Sequence, residues 1–272
     1  MFFNAQQWLV DRHVAEGRGE NVAVIAPSGT LTYAQLSGLC GQVAAGLRSL
    51  HLHRDDRVVL VTNDEVAMVA GILGTFRAGF VAVPVSTMLG GRELGAIVED
   101  SAADALIVSG EYAAAAVEAA AMCPDLEYLI CDGETAPEVP GLECLTFAEL
   151  LARGQGARPA LHEVAGTSED EWALWLYTSG TTGSPKGAMH RHVSIRHIGS
   201  TYPNQVLKMT EDDRCLSIAK MFFSYGIGNS LFFPLACGAA TILEPRRPTP
   251  QVFAERIRQD KPTIFDAVPT FF

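Results

Sequence analysis

The chain is short of several features that would have narrowed its function directly. It carries only 20 basic side chains against 31 acidic ones, a net charge of −11. A surface so poor in positive charge disfavours nonspecific binding to nucleic acid or to an anionic membrane, and neither partner is expected. Its six cysteines, at 40, 123, 131, 144, 215 and 237, never fall at Cys-x-x-Cys spacing. That removes the usual zinc and thioredoxin-like readings. Scattered through 272 residues, they read as free, mostly buried thiols, and a cytoplasmic location is expected. No run approaches the roughly 18 uncharged apolar residues that a spanning helix needs. The nearest stretch, 66–89, is interrupted by Arg77 and divided by glycines, and reads as a buried helix followed by a strand. The opening residues, Met1 to Arg12, hold no basic leader and no long apolar segment, unlike a signal peptide. A Gly-x-Ser-x-Gly elbow is missing, which argues against an α/β-hydrolase. No pair of carboxylates stands out for general acid–base work.

What is present is 48% apolar residues, ample for the core of one large domain or two small ones. Short β-branched runs alternate with helical ones. Val22–Ala26 and Gly29–Thr32 flank a turn and predict a hairpin. Thr32 has the chemistry of an N-cap for a helix to about Leu50. Strands are expected at 57–62, 80–85, 105–108 and 126–131. Helices are expected between them, one capped by Asn63 and running to Ala78, then 92–100 and 111–122. This alternation implies right-handed βαβ units and a mostly parallel sheet. Residues 132–170 become rich in Glu, Pro, Gly and Arg and read as a surface excursion, with a turn or two of helix at 147–151. Beyond a strand beginning at Trp172, a helix near 189–200 is expected. A strand at 214–219, a helix or loop at 226–236, a strand at 239–243, a helix at 250–259 and a strand at 263–268 follow. The chain thus divides into a first αβ subdomain, 1–170, and the start of a second, 171–272.

The most informative stretch is Tyr177-Thr-Ser-Gly-Thr-Thr-Gly-Ser-Pro-Lys-Gly187. Five hydroxyl residues (Thr178, Ser179, Thr181, Thr182 and Ser184), three glycines and one lysine fall within eleven positions. Glycines let backbone N–H groups approach anionic oxygens. Hydroxyls donate to phosphate or ligate a metal, and Lys186 adds a point charge. The combination suits a polyphosphate. It follows the apolar segment Trp172-Ala-Leu-Trp-Leu-Tyr177, and a glycine-rich turn leaving a strand is where α/β folds place nucleotide phosphates. A flexible linker would not sit against so apolar a strand. A Walker loop requires Gly-Lys-Ser/Thr, whereas Pro185 precedes Lys186 and Gly187 follows it.

A second segment, Met221-Phe-Phe-Ser-Tyr-Gly-Ile-Gly-Asn-Ser230, packs aromatic and glycine residues after a strand. It reads either as a core strand-to-helix junction or as an acyl pocket whose aromatic walls take a flat apolar ring. His190, His192 and His197 lack metal-ligand spacing and an acidic neighbour. Arg246 and Arg247, between prolines, read as a solvated turn, with a phosphate of coenzyme A as the other reading. Asp212–Asp213 is a turn pair.

The loop 177–187 resembles, without a gap, the signature loop of the adenylate-forming superfamily. That family includes acyl- and aryl-CoA ligases, peptide adenylation domains and luciferases. Leu31-Thr-Tyr-Ala-Gln-Leu36 and Ala78-Gly-Phe-Val-Ala-Val-Pro-Val85 resemble two earlier elements of the family in the expected order, so the resemblance covers nearly the whole chain. It implies layered αβα subdomains with mostly parallel sheets, an incomplete large N-terminal domain. By the resemblance, Thr178, Ser179, Gly180, Thr181, Thr182, Gly183 and Lys186 cradle the β- and γ-phosphates of ATP, and Thr181 or Thr182 meets Mg2+. The wording from Lys220 to Asn229, and from Leu235 to Thr241, is similar to benzoate–CoA ligases. That similarity implies that Ser224, Tyr225 and Gly226 line an aryl site, with Phe222 or Phe223 as an aromatic gate. His192 matches a family histidine expected to shape the loop.

The implied chemistry has two steps. A carboxylate attacks the α-phosphate of ATP, releasing pyrophosphate and leaving an acyl-adenylate; the thiolate of coenzyme A then displaces AMP. The family's adenine-binding strand, acidic Mg2+ ligand, ribose-binding aspartate, hinge and mobile C-terminal domain with its catalytic lysine are expected beyond Phe272, so no catalytic residue is assigned. The 272-residue chain alone is therefore expected to have little or no ligase activity. Two other readings stay open. One is an inactive fragment that at most binds nucleotide. The other is a ligase for a hydroxy- or aminobenzoate, a fatty acid or an amino acid.

Overall fold

A computed structural model describes residues 1–179 and 185–271. Twelve strands, counted among the described residues, form two sheets. In chain order they are β1 (Val22–Ala26), β2 (Gly29–Thr32), β3 (Arg57–Val61), β4 (Val81–Pro84), β5 (Ala103–Ser109) and β6 (Tyr128–Asp132). The rest are β7 (Glu143–Thr146), β8 (Trp172–Ser179), β9 (Pro185–Arg191), β10 (Arg214–Ser217), β11 (Ala240–Ile242) and β12 (Ile264–Asp266). One sheet runs β7-β6-β5-β3-β4-β8-β9 and the other β12-β10-β11-β1-β2. All pairings are parallel except the β1–β2 and β8–β9 hairpins.

The larger sheet is covered on both faces, so its strands are continuous apolar runs. Alternate residues leave in opposite directions. Val58 and Leu60 of β3, with Ala105 and Ile107 of β5, enter one core cluster. Val59, Val61, Leu106 and Val108 enter the other. The helices Tyr33–Ser49 and Val66–Ala78 cover the first face, joined by Phe147–Gln155. Gly91–Ser101 and Ala113–Ala120 cover the second. Tyr33, Leu36, Cys40, Val43 and Leu47 fall on one face of their helix and are buried there, the spacing an amphipathic helix requires. Burying each Val or Leu contributes about 1.5–3 kcal/mol. Thr32 starts that helix through a reciprocal cap, accepting from Gln35 N at 3.3 Å while Gln35 Oε1 accepts from Thr32 N at 2.9 Å.

Several expectations are corrected. Asn63 is not a helix cap: Glu65 holds that position. The Asn63 amide instead donates to Glu111 at 3.1 Å and accepts from the Tyr112 hydroxyl at 2.8 Å. A tertiary partner has taken the side chain that a local cap would have used. The segment after the signature loop is not helical from 189; Pro185–Arg191 forms β9, and the helix is His192–Thr201. Pairing with β9 gives the backbone of β8 hydrogen bonds along its second edge. The region 132–170 is more than an excursion, because β7 extends the larger sheet and Phe147–Gln155 packs on Tyr33–Ser49. Sheet membership also crosses the expected break at 170/171. β1 and β2 join β10–β12, whereas β8 and β9 join β3–β7, because β1 pairs in parallel with β11.

His192, expected to shape the loop, is seen among the described residues to hold the N-terminal segment. It is fully buried, its Nδ1 accepts from Ala5 N at 3.1 Å, and its ring meets Phe76 edge-on at 6.0 Å. It fastens the N-terminal segment, as does Asn4, which donates to Phe76 O at 2.7 Å.

Two measurements test this packing. A Cβ at Gly154 would lie 1.9 Å from Gln42 O, whereas one at Gly38 meets nothing within 4 Å. Gly154→Ala should therefore lower stability by about 1–3 kcal/mol by overpacking. Gly38→Ala should raise it by about 0.5–1 kcal/mol through helix propensity. Urea unfolding of both variants decides; shifts of the same sign contradict the close helix contact.

Burial also lowers the pKa of His192 from 6.5 to about 4. The unfolded state therefore binds more protons between these values, and this histidine's share of stability is lost as pH falls from 6.5 towards 4. His13, also buried and lowered to about 4, acts in the same direction. Asp64 and Asp266, raised to about 6, act in the opposite one. His192→Asn keeps an acceptor for Ala5 but cannot charge. Urea midpoints from pH 7 to 4 should fall less steeply in this variant than in wild type, and an unchanged slope contradicts the burial argument.

Candidate active site

A cavity of about 1110 Å³ opens where strand ends of the two sheets face each other. Its lining comes in short pieces, each just beyond the carboxyl end of a parallel strand. Thr62, Asn63 and Asp64 follow β3; Thr87 and Met88 follow β4; Glu111 and Tyr112 follow β5. Across from them, residues 218–225 without Met221 follow β10, residues 245–248 follow β11, and Val268 follows β12. Carboxyl ends of parallel strands are where α/β sheets bind ligands, since side chains there are held by a rigid frame yet open to solvent.

One wall is aromatic. Phe222 is buried, Phe223 is half exposed, and their ring centroids are 4.6 Å apart at 56°. Tyr225 is also half exposed, with its hydroxyl 3.4 Å from Ala267 O. Phe223 N donates to Lys220 O at 3.0 Å, closing the turn that carries these rings. Gly226 is not part of the lining. A Cβ there would lie 1.9 Å from Lys220 O, so the glycine is required by crowding of backbone behind the wall rather than by room for a ring.

The floor and the opposite wall are polar. Asp64 is 5% exposed, and its two oxygens lie 3.2 and 3.3 Å from the donor Met221 N. Burial pushes its carboxyl up to about 6, against the pull of the Lys220 charge and the Met221 N–H. The Lys220 ammonium donates to Glu244 O and, at 2.9 Å, to Arg246 O. Burial lowers its pKa, against Asp64 and Glu244. Burial works to raise the Glu244 carboxyl too, but hydrogen bonds from Arg246 hold it below the usual range. Arg246 therefore does more than sit in a solvated turn: it joins Glu244 at 2.9 Å to Glu255 at 3.0 Å. Facing this group, Tyr112, Asn63 and Glu111 form the hydrogen-bonded series already described.

The described residues of the signature segment lie on the β8–β9 hairpin, and none of them lines the cavity. Thr178 pairs with Lys186 and Ser179 with Pro185 across it, so both residues at the root of the loop are fixed by sheet register. Thr178 and Lys186 are exposed. Tyr177, next in the strand, donates to Asp100 at 2.5 Å. Gly180, Thr181, Thr182 and Gly183 lie outside the described residues. The structure thus brings Phe222, Phe223, Ser224 and Tyr225 to one wall, with Gly226 behind it. It brings Thr178 and Lys186 side by side elsewhere. Among the described residues, no group of three or more His, Cys, Asp or Glu side chains is placed to hold a metal, and none of the helices is long and apolar enough to cross a membrane. All six cysteines are free.

Sequence reasoning missed Asp64, Lys220 and Glu244. The available signal was positional, because each follows the end of an expected strand. An acid or lysine at such a place reads as a turn residue until the facing sheet is known.

A family model described as AMP-binding enzyme matches residues 11–272. A 4-hydroxybenzoate–CoA/benzoate–CoA ligase of Rhodopseudomonas palustris is 38% identical over 99% of this chain and 48% of its own length. A benzoate–CoA ligase of Thauera aromatica is 35% identical over 99% of this chain and 49% of its own. Among solved structures, a benzoate CoA ligase from Burkholderia xenovorans superimposes with a TM-score of 0.86 at 33% identity, covering 99% of this chain and 51% of that one. The chain spans about half the length of the relatives it matches. With a family model spanning almost all of it, over a parallel α/β frame that the solved relative shares, the chain belongs to the AMP-binding enzyme family.

Proposed function

We propose that this chain supplies the phosphate loop and part of the acyl pocket of an AMP-forming aryl–CoA ligase acting on a benzoate-like acid. The observation that carries this reading is the cavity wall of Phe222, Phe223, Ser224 and Tyr225 at the strand ends. Offset and tilted rings of this kind accept a flat aromatic guest, and a largely apolar cavity with few polar groups orients one. The names of the similar proteins support the acid's class.

In the proposed reaction a carboxylate oxygen attacks the α-phosphorus of ATP, the bond to pyrophosphate breaks, and an acyl-adenylate forms. The sulfur of coenzyme A then bonds to the acyl carbon, and AMP leaves with the electron pair of the broken C–O bond. This chain's share is positional and electrostatic. Thr178, Ser179, Gly180, Thr181, Thr182, Gly183 and Lys186 hold the β- and γ-phosphates, the register of β8 and β9 setting Thr178 beside Lys186. The ring wall holds the acid, and Phe223, the more exposed of the two phenylalanines, is the gate. Mg2+ at Thr181 or Thr182 is carried over from the signature loop, and it neutralises phosphate charge when bound. Six free cysteines support a reducing, cytosolic setting.

A second reading, that the 272-residue chain by itself binds nucleotide without completing the reaction, is favoured by its coverage of about half of each relative. ATP–pyrophosphate exchange over a panel of carboxylic acids, run on the chain and on the intact protein in which it occurs, tests both. The intact protein should exchange most strongly with benzoate, and Lys186→Ala should reduce that exchange roughly 10²-fold, as loss of a charge-stabilising donor does. The chain alone should bind ATP with little exchange. Strong exchange with an aliphatic acid and none with benzoate overturns the substrate, and robust aryl–CoA formation by the chain alone overturns the second reading.

A further inference from the structure

Asp64 and Lys220 lie at the cavity floor and have no part in the reaction as proposed. Asp64 follows β3 of the larger sheet and accepts from Met221 N, beyond β10 of the smaller one. Lys220, one residue earlier, donates from its ammonium to Glu244 O and Arg246 O beyond β11. Its carbonyl accepts from Phe223 N and abuts Gly226. One node therefore joins three strand ends from two sheets. It reaches the two phenylalanines through backbone alone, since Met221 and Phe222 are consecutive. Burying charged groups costs free energy that an apolar pair of similar volume avoids. A purely structural seam has no need of them; a fixed height for the turn that bears the rings does, because hydrogen bonds are directional where apolar contact is not.

We infer that Asp64 and Lys220 are positioning residues that fix the Phe222–Phe223 wall and so set how the cavity grips an aromatic acid. This rests on the reading of the cavity as the aryl site. Asp64 restrains the turn from the larger sheet, and Lys220 restrains the same turn from the 244–246 lip. Loss of either leaves the wall attached on one side only.

Hydrogen exchange and fluorine NMR on the purified chain test this, with Asp64→Leu, which removes the acceptor of Met221 N, with Lys220→Met, and with 4-fluorobenzoate as the probe. In both variants the amides of 221–226 should exchange about tenfold faster, the loss expected for one net hydrogen bond. Affinity for 4-fluorobenzoate should drop about tenfold, while ATP affinity and exchange in β5 stay at wild-type values. Unchanged exchange at 221–226 in both variants overturns the inference. So does a rise that extends equally to β5, which marks general loosening, or a rise confined to 221–226 with acid affinity untouched. A wild-type chain that fails to bind 4-fluorobenzoate brings down the aryl-site reading instead, and exchange at 221–226 still decides whether the clamp exists.

Discussion

The parallel pairing of β1 with β11 is the constraint on which the rest of the molecule depends. Val24 lies opposite Thr241 and Ile25 opposite Ile242, so the N-terminal hairpin belongs to the sheet built mainly from the end of the chain. Helix Tyr33–Ser49 leaves that hairpin and packs under the other sheet. As a result one apolar cluster contains Ala23 and Val24 from the first element, Val58 and Leu60 from β3, and Phe232 and Leu243 from the second half. The two sheets share a core instead of meeting at a thin seam. Close packing of this kind transmits position rigidly, and it holds the strand ends of one sheet against those of the other across the cavity.

Given that frame, the chemistry at the strand ends follows from what each position must satisfy. Where backbone ends face each other with limited water, polar groups need partners. Asp64, Lys220, Glu244, Arg246 and Arg256 supply them to one another and to backbone groups just past the strand ends. Above this polar floor the rings of Phe222, Phe223 and Tyr225 remain available to a ligand. The signature loop, proposed to hold phosphates, is supported differently. Its root is a pair of antiparallel strands, so Thr178 and Lys186 are aligned by register rather than by a helix N-terminus.

Much of the frame was legible from sequence because the signals are local or periodic. Thr32 is a cap whose partner, Gln35, is three residues away. β3 is a continuous apolar run, and Leu94, Ile97 and Val98 repeat at helical spacing. The signature loop was legible as a family motif, while Gly180, Thr181, Thr182 and Gly183 lie outside the described residues. What escaped was set by distant parts of the chain. β9 alternates in no clear pattern, and its residues are strands only because β8 lies beside them. β7 is defined by the edge of β6. Asn63 has the side chain of a helix cap, but Tyr112, 49 residues away, claims it. His192 was expected to shape the loop, and nothing local signals that its Nδ1 also accepts from Ala5, 187 residues away. Gly226 was expected to line the aryl site, and what demands a glycine there is crowding with Lys220 O. Nothing in the neighbourhood of Asp64 signals that the facing sheet will bury it.

In the proposed site the acid lies against the aromatic wall at the strand ends, while the triphosphate is held at the β8–β9 hairpin. A crystal structure of the intact protein with ATP and 4-bromobenzoate, phased to show the bromine by its anomalous signal, tests this most directly. Bromine density is expected inside the cavity beside Phe222, Phe223 or Tyr225, with the β- and γ-phosphates beside Thr178 and Lys186. Bromine bound away from that wall, or phosphates bound away from the hairpin, would contradict it.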